Sequence, residues 1–169
     1  MRKEKAPKPK YTFQIAIVSG VAIVCVVIFI NYYLDQTELS GQRFGDQLAQ
    51  VQLDLKNETQ DFDKHLTQYK SGQISKDQML KITDEHISTL QNILPRYEQL
   101  KAPELFVPSL QLFKLSTETQ IESDKTLREW VVTGDNATNA KSDQLLQQSF
   151  QYEMNALQSY ENAKSKGLQ

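Results

Sequence analysis

The N-terminal part of the chain contains a long stretch without a charged residue, residues 11–34. A helix of these 24 residues is about 36 Å long at ~1.5 Å per residue, enough to cross a hydrocarbon core of about 30 Å. Aromatic residues stand at both edges, as is typical of side chains in the lipid headgroup layer. They are Tyr11, Phe13, Tyr32 and Tyr33. The stretch therefore predicts a single transmembrane helix, residues 11–34.

The tail that precedes this stretch, residues 1–10, is basic. It carries five lysine or arginine residues against one acidic residue, Glu4. By the positive-inside rule we expect this tail to be cytoplasmic and residues 35–169 to lie outside the cell membrane. The whole chain has a net charge of −2, so composition gives no reason to expect a nucleic-acid partner.

Two other roles for the apolar stretch are disfavoured. A cleaved secretory signal has a core of only ~7–15 residues followed by a small-x-small site, and residues 31–35 offer no such site. A lipoprotein has a small residue before its modified cysteine, whereas Val24 precedes Cys25. We therefore expect an uncleaved signal anchor. Cys25 is the only cysteine, so the chain cannot form an intramolecular disulfide.

The remainder, residues 35–169, shows helical spacing of apolar residues with three interruptions. These occur at residues 71–72, 101–103 and 134–136, where glycine or proline is found. They divide the chain into four predicted helices, about residues 37–70, 75–101, 104–133 and 137–166. Four helices joined by short loops pack as antiparallel neighbours. The predicted fold is all-α: a transmembrane helix followed by an up-down antiparallel four-helix bundle.

Residues near the interruptions predict how the helices end. Ser75 and Gln78 have capping-box spacing, Gly134 suits a left-handed helix end, and Asp135 suits the next N-cap. Pro95 predicts a kink or a division of the second helix.

The fourth predicted helix carries its apolar residues three or four positions apart. This spacing predicts one buried face, formed by Leu146, Phe150, Leu157 and Tyr160 together with Glu153, with Ala156 and Ala163 beside them.

Polar residues interrupt the apolar stripes at corresponding distances from the turns. Measured this way, one layer midway along the bundle contains Glu58, His86, Gln120 and Glu153. Because buried charges are costly unless they are paired, such a layer is either satisfied internally or binds a small ligand or cation. The alternative is that a small register error places most of these residues on the surface. Neither histidine has the Glu-x-x-His spacing of di-iron bundles.

No catalytic arrangement is recognisable in the sequence. It contains no nucleophile elbow and no phosphate-binding glycine loop, and Asp61 and His65 are four residues apart, a spacing typical of a solvated helix pair. We expect no enzymatic activity, no cofactor and no metal.

The segment around the single tryptophan reads Leu-Arg-Glu-Trp-Val-Val-Thr-Gly-Asp. It resembles a helix-end pattern of extracytoplasmic four-helix-bundle sensor domains of chemotaxis receptors and histidine kinases. The matching positions are Arg128, Trp130, Thr133, Gly134 and Asp135. The resemblance implies sensing of small molecules or partner signals through helix shifts. In those receptors the pattern ends an earlier helix, whereas here it ends the third. The residues after 166 predict no second span, so any signal is expected to pass through a partner.

These observations predict a membrane-anchored, extracytoplasmic, sensor-like binding module without enzymatic activity. Its expected partners are the membrane, through a single span, and a protein or a second copy of the chain, with a small ligand as a further option. The alternative is a small accessory subunit of a larger membrane complex. An exposed apolar stripe on the bundle is expected of the accessory subunit, whereas a sensor is expected to show ligand-dependent stability.

Overall fold

The computed structural model describes the backbone of residues 10–167 and the side chains of residues 40–166. The described backbone is helical and contains no strand. Its elements are α1 (Lys10–Lys70), α2 (Lys76–Gln99), a single 3-10 turn (Glu104–Phe106), α3 (Val107–Thr133) and α4 (Asn136–Gly167). The chain divides into two compact units, Met1–Leu39 and Ser40–Gln169. The prediction of an all-helical bundle is confirmed.

Within the described residues, no helix is long and apolar enough to cross a membrane. The side chains of residues 1–39 lie outside the described part. The basic tail (residues 1–10), the span (residues 11–34) and its aromatic edges therefore stay predictions.

Contacts between side chains give the direction of each helix relative to its neighbours. Glu58 on α1 contacts His86 on α2, and nearer the start of α1 Asp54 contacts Arg96, so α1 and α2 are antiparallel. On α2, Tyr97 contacts Thr117 and His86 contacts Asp124, so α2 and α3 are also antiparallel. The α3 and α4 helices run in opposite directions as well, as their serine contacts below show.

The predicted helix ends are present. The Ser75 backbone N–H donates to Gln78 Oε1 at 2.8 Å, and the Gln78 N–H donates back to Ser75 Oγ at 3.2 Å. Gly134 ends α3 with φ of 74°, a conformation that costs glycine little because it has no Cβ. Asp135 accepts hydrogen bonds from both the backbone and the hydroxyl of Thr138. Of the two effects predicted for Pro95, a kink or a division of the second helix, division does not occur, because α2 continues through it to Gln99.

The bundle interior contains two apolar clusters. The larger includes Phe44, Leu48, Val51, Leu55, Ile87, Leu90, Ile93, Tyr97, Phe106, Phe113, Ile121, Ala156 and Ala163. The smaller consists of Phe62, Met79, Leu127 and Val131. The two clusters occupy successive segments of α2 and α3. His86 lies between their residues on α2, and Asp124 lies between their residues on α3.

The buried face of α4 is made of small residues and differs from the predicted one. Fully buried residues recur every seven positions, at Ser142, Ser149, Ala156 and Ala163. Phe150 and Leu157, predicted to be buried, are 49% and 46% exposed. The prediction is wrong for these two residues, because spacing identifies apolar residues on one side of a helix but not which side packs. Ala156 and Ala163, predicted beside them, are buried.

Two pairs of serines join α3 and α4. Ser116 and Ser149 each donate to the carbonyl oxygen of the other at 2.9 Å. Ser123 and Ser142 do the same at 2.8 and 3.0 Å. A serine hydroxyl reaches a carbonyl on another helix only when the two backbones are close together. We call this contact, formed by Ser116, Ser123, Ser142 and Ser149, the serine seam.

Candidate functional site

The midpoint of the bundle holds a cluster of three titratable side chains from three helices. His86 on α2 is 2% exposed. Its Nδ1 lies 2.9 Å from Glu58 Oε1 on α1, and its Nε2 lies 3.3 Å from Asp124 Oδ2 on α3. The contact between His86 Nε2 and Asp124 Oδ2 is an ion pair without hydrogen-bond alignment. Neither of these two atoms has a hydrogen-bond partner among residues 40–166. We call Glu58, His86 and Asp124 the His86 cluster.

The histidine ring is held flat by an aromatic neighbour. Phe62 on α1 stacks on His86 with ring centroids 4.0 Å apart and planes 3° from parallel. The aromatic face is negative, so this position favours a protonated imidazole.

The neighbouring groups also change the proton affinity of the cluster. Burial alone lowers the pKa of His86, but the adjacent Asp124 and Glu58 carboxylates outweigh it, so the pKa is raised above 6.5. Burial raises the pKa of Asp124 above 3.8, with His86 opposing the shift and Asp63 adding to it. Both shifts have the same sense: the folded cluster holds its proton more firmly than the unfolded chain does.

Two of the four residues predicted to share the polar layer are in direct contact, namely Glu58 and His86. Gln120 is buried beside them and donates from Nε2 to Thr59 Oγ1 at 2.9 Å. Glu153 is half-buried, and the interaction that the structure gives it is with Tyr97, whose pKa its charge raises. The structure therefore does not place Glu153 beside His86.

Asp124 was not predicted as a member of the polar layer, because the glycine and proline pattern places the second turn too early in the chain. His86 pairs with Asp124, so α2 and α3 fold back about a point near residue 105 rather than at Ala102. The helices end at Gln99 and resume at Val107, with the 3-10 turn between them. Asp124 lies four residues after Gln120, so one helical turn of displacement accounts for the error.

A second buried polar network surrounds Tyr97 on α2. Its hydroxyl lies 2.9 Å from Thr117 Oγ1 and accepts from Gln52 Nε2 at 2.8 Å. Burial is the main reason that its pKa is raised above 10.0. The network is satisfied internally.

The five residues that resemble a sensor-domain pattern lie at the end of α3 and in the turn after it. Arg128 donates to both carboxylate oxygens of Asp84 at 2.5 and 3.1 Å, and Trp130 packs edge-on against Tyr69. Thr133 accepts from the Asp135 N–H at 3.2 Å. The Thr133 contact and the left-handed Gly134 lie in the turn between α3 and α4, whereas Arg128 and Trp130 join the end of α3 to α2 and α1.

Among the described residues, the His86 cluster does not have metal-binding geometry, and two surface depressions lie away from it. Within the described residues, no group of three or more His, Cys, Asp or Glu side chains is arranged to hold a metal ion. A depression of about 430 Å³ lies between Pro108 and Lys166, and another of about 730 Å³ lies along residues 77–89 of α2. The lining of each leaves out Glu58, His86 and Asp124.

The clearest surface feature is an apolar stripe on α4. Phe150, Met154 and Leu157 are 49%, 63% and 46% exposed. At 3.6 residues per turn they lie within about 60° of one another around the helix. We call Phe150, Met154 and Leu157 the α4 apolar face. Between residues 144 and 160 the only charged residue is Glu153, and it is half-buried.

No family model, no curated protein and no solved structure matches this chain.

Proposed function

We propose that this protein is a non-enzymatic binding module that is held in the cell membrane by residues 11–34. The basic tail is cytoplasmic, and the up-down antiparallel bundle lies outside, where it binds a protein partner through the α4 apolar face. The proposed anchor rests on the uncharged 24-residue stretch and its basic flank.

The α4 apolar face carries this proposal. Isolated exposed apolar residues are common on soluble proteins, whereas contiguous ones mark interaction sites. Here three large side chains are exposed on successive turns of one helix, and the same segment is almost free of charge. Depletion of charge together with phenylalanine and methionine is the composition typical of the centre of a protein interface.

The His86 cluster is better suited to holding the helices together than to binding a ligand. Its carboxylates are engaged by one ring, Phe62 covers that ring, and His86 is almost completely buried. What the cluster could add to a sensor-like function is sensitivity to protonation, because its titratable side chains come from three different helices. It therefore favours a second candidate function, a bundle whose packing responds to pH.

A photocrosslinking experiment tests the α4 apolar face in the native membrane. In a Cys25→Ser background, the full chain carries one new cysteine labelled with benzophenone maleimide. Met154→Cys places the probe in the face. Asn155→Cys is the matched control, because the next residue on the same helix points about 100° away. Adducts are separated and identified by mass spectrometry.

We expect a discrete adduct of fixed identity from position 154 and much less of it from position 155. Adding Leu157→Glu to the Met154→Cys chain should reduce the adduct, because it places a charge inside an apolar contact. Equal labelling from both positions, or none from either, would contradict the proposed function.

A further inference from the structure

The end of the bundle that holds the first described side chains of α1 carries an apolar loop. Gly41 on α1 packs against the ring of Phe106, since a Cβ added there would lie 3.6 Å from Phe106 Cε2. On either side of the buried Phe106, Leu105 is 45% exposed and Val107 is 37% exposed, and Pro108 is exposed as well. Phe106 thus fixes the loop to the bundle while its neighbours stay in solvent. We call Leu105, Val107 and Pro108 the loop tip.

The two turns at the opposite end of the bundle have a different composition. They read Ser-Gly-Gln at residues 71–73 and Gly-Asp-Asn at residues 134–136, and all six residues are exposed. Small and polar residues are the ordinary choice where a chain reverses in water. The loop tip instead forms an apolar patch, a feature of surfaces that contact a protein or a membrane.

The chain between the proposed span and the loop is short. Leu34 is the last residue of the span, and Gly41 comes seven residues later. The backbone of this stretch is helical, so at ~1.5 Å per residue it covers about 10 Å. The headgroup layer is roughly 5–8 Å thick on each side of the hydrocarbon core. Because Phe106 packs against Gly41, the loop tip is within reach of the headgroups.

Lysine side chains near the loop tip supply a charge that suits phospholipids. Lys101 in the loop and Lys164 and Lys166 in the last turn of α4 are exposed. The depression of about 430 Å³ lies between the loop tip and Lys166, so an ammonium group and apolar side chains line one opening. Every phospholipid carries a phosphate, which lysine binds as a point charge. In residues 100–108 and 160–167 these three lysines outnumber the two acids, Glu104 and Glu161.

We propose that this end of the bundle rests on the bilayer surface, with the loop tip in the headgroup layer and the lysines on lipid phosphates. The inference rests on the anchor of the proposed function and adds a second contact with the same membrane. A few apolar side chains bind a bilayer weakly by themselves, because binding scales with the apolar area that is buried. The anchor holds them beside the bilayer at high effective concentration, so a weak contact is sufficient.

Fluorescence quenching in lipid vesicles tests this inference on the purified full chain. In a Cys25→Ser background, Leu105→Cys carries a nitrobenzoxadiazole label. The vesicles are phosphatidylcholine that includes lipid with a nitroxide quencher on its headgroup. Val132→Cys with the same label is the matched control, because Val132 is 44% exposed. It lies 25 residues beyond Val107 on α3, about 38 Å away at ~1.5 Å per residue.

We expect several-fold stronger quenching at position 105 than at position 132, together with emission at a shorter wavelength. Adding Val107→Glu to the Leu105→Cys chain should lower the quenching toward the level of position 132, because a carboxylate resists desolvation and is repelled by phosphate. Adding Val132→Glu, at the other end of α3, should leave the quenching unchanged. Circular dichroism shows whether both glutamate variants keep the helical content of the parent.

Three outcomes would overturn the inference. They are equal quenching at the two labelled positions, no quenching at position 105, and the same loss with Val107→Glu as with Val132→Glu. Flotation of the same vesicles keeps this failure separate from that of the proposed function. A chain that floats with the vesicles and gives any of these outcomes leaves the anchor standing and removes the surface contact, whereas a chain that does not float removes both.

Discussion

His86 joins three helices through one aromatic ring. It is on α2, and its two nitrogens face carboxylates on α1 and α3. Removing one member of a buried charged set leaves the others without compensation, which typically costs about 3 kcal/mol or more. The ring therefore acts as a positioning group for the middle of the bundle, and its contribution depends on its proton.

The stability of the bundle should fall as the pH rises through the neutral range. Because the pKa of His86 is raised above 6.5, its stabilising contribution is complete below that value and is lost as the pH passes the higher folded-state pKa. The raised pKa of Asp124 acts in the same direction. Urea denaturation of the full chain in detergent, followed by circular dichroism across this pH range, measures the effect.

His86→Gln should remove most of this pH dependence, because glutamine does not titrate. The matched control is His65→Gln on the half-exposed side of α1, where the histidine pairs with Asp61 on its own helix. We expect His65→Gln to keep the decline of the parent. Identical pH profiles for the parent and His86→Gln would show that the cluster does not control stability.

At the scale of the helix, the fully buried residues of α4 are small, and Tyr160 adds ring contacts with Phe44 and Phe106. The serine seam brings the backbones of α3 and α4 together, and Ala156 and Ala163 complete the buried face. Close-packed interiors tolerate added methylene groups poorly. We therefore expect the small buried residues of α4 to contribute more to the stability of the bundle than its large exposed apolar residues do.

Neighbouring substitutions on α4 test this expectation. Ser149→Leu should destabilise the bundle by about 3 kcal/mol, because it forces α3 and α4 apart and breaks the exchange of hydrogen bonds with Ser116. Phe150→Ser should cost about 1 kcal/mol or less, because half of this side chain is already exposed. Chemical denaturation of both variants gives the comparison, and a larger loss for Phe150→Ser would contradict the role of the seam.

The sequence predicted the number of helices in the bundle and the chemistry of their ends, because glycine, proline and capping residues act locally. The Ser75 capping box and the Gly134 helix end are examples. On the buried face of α4 it predicted Ala156 and Ala163 but not Ser142 and Ser149, because a search for apolar residues passes over serine. The seven-residue recurrence of serine and alanine was the available signal.

Within the predicted polar layer, the structure brings together two residues that are related by one turn. It separates from them a residue whose position depends on three turns, because errors in locating the turns add up. Glu58 and His86 are related by the first turn alone, and they are in contact. Glu153 depends on three turns, and it lies near Tyr97 instead. The seven residues between Gln99 and Val107, which carry the 3-10 turn, could not be told from helix by periodicity.

At the scale of the whole molecule, the proposed anchor should determine where the chain is found. The full chain should resist extraction from membranes by alkaline carbonate, because 24 uncharged residues partition strongly into the bilayer. A chain of residues 35–169 should be released under the same conditions. Immunoblots of pellet and supernatant provide the measurement. Release of the full chain would contradict the anchor.

Topology follows from the same variants. In the Cys25→Ser background, a membrane-impermeant maleimide should label Met154→Cys on intact cells and should label Lys5→Cys only after permeabilisation. The reverse pattern would place the bundle in the cytoplasm and exclude the proposed location.

The His86 cluster has a further consequence, since it includes α1, α2 and α3 and leaves out α4. Three helices share one buried charge network, while the fourth packs on α3 through serine and alanine and contacts Phe44 and Phe106 through Tyr160. Release of α4 breaks no contact within that network, whereas movement of any other helix does. In amide hydrogen exchange, α4 is therefore the segment that opens first and the remaining three helices form one cooperative unit.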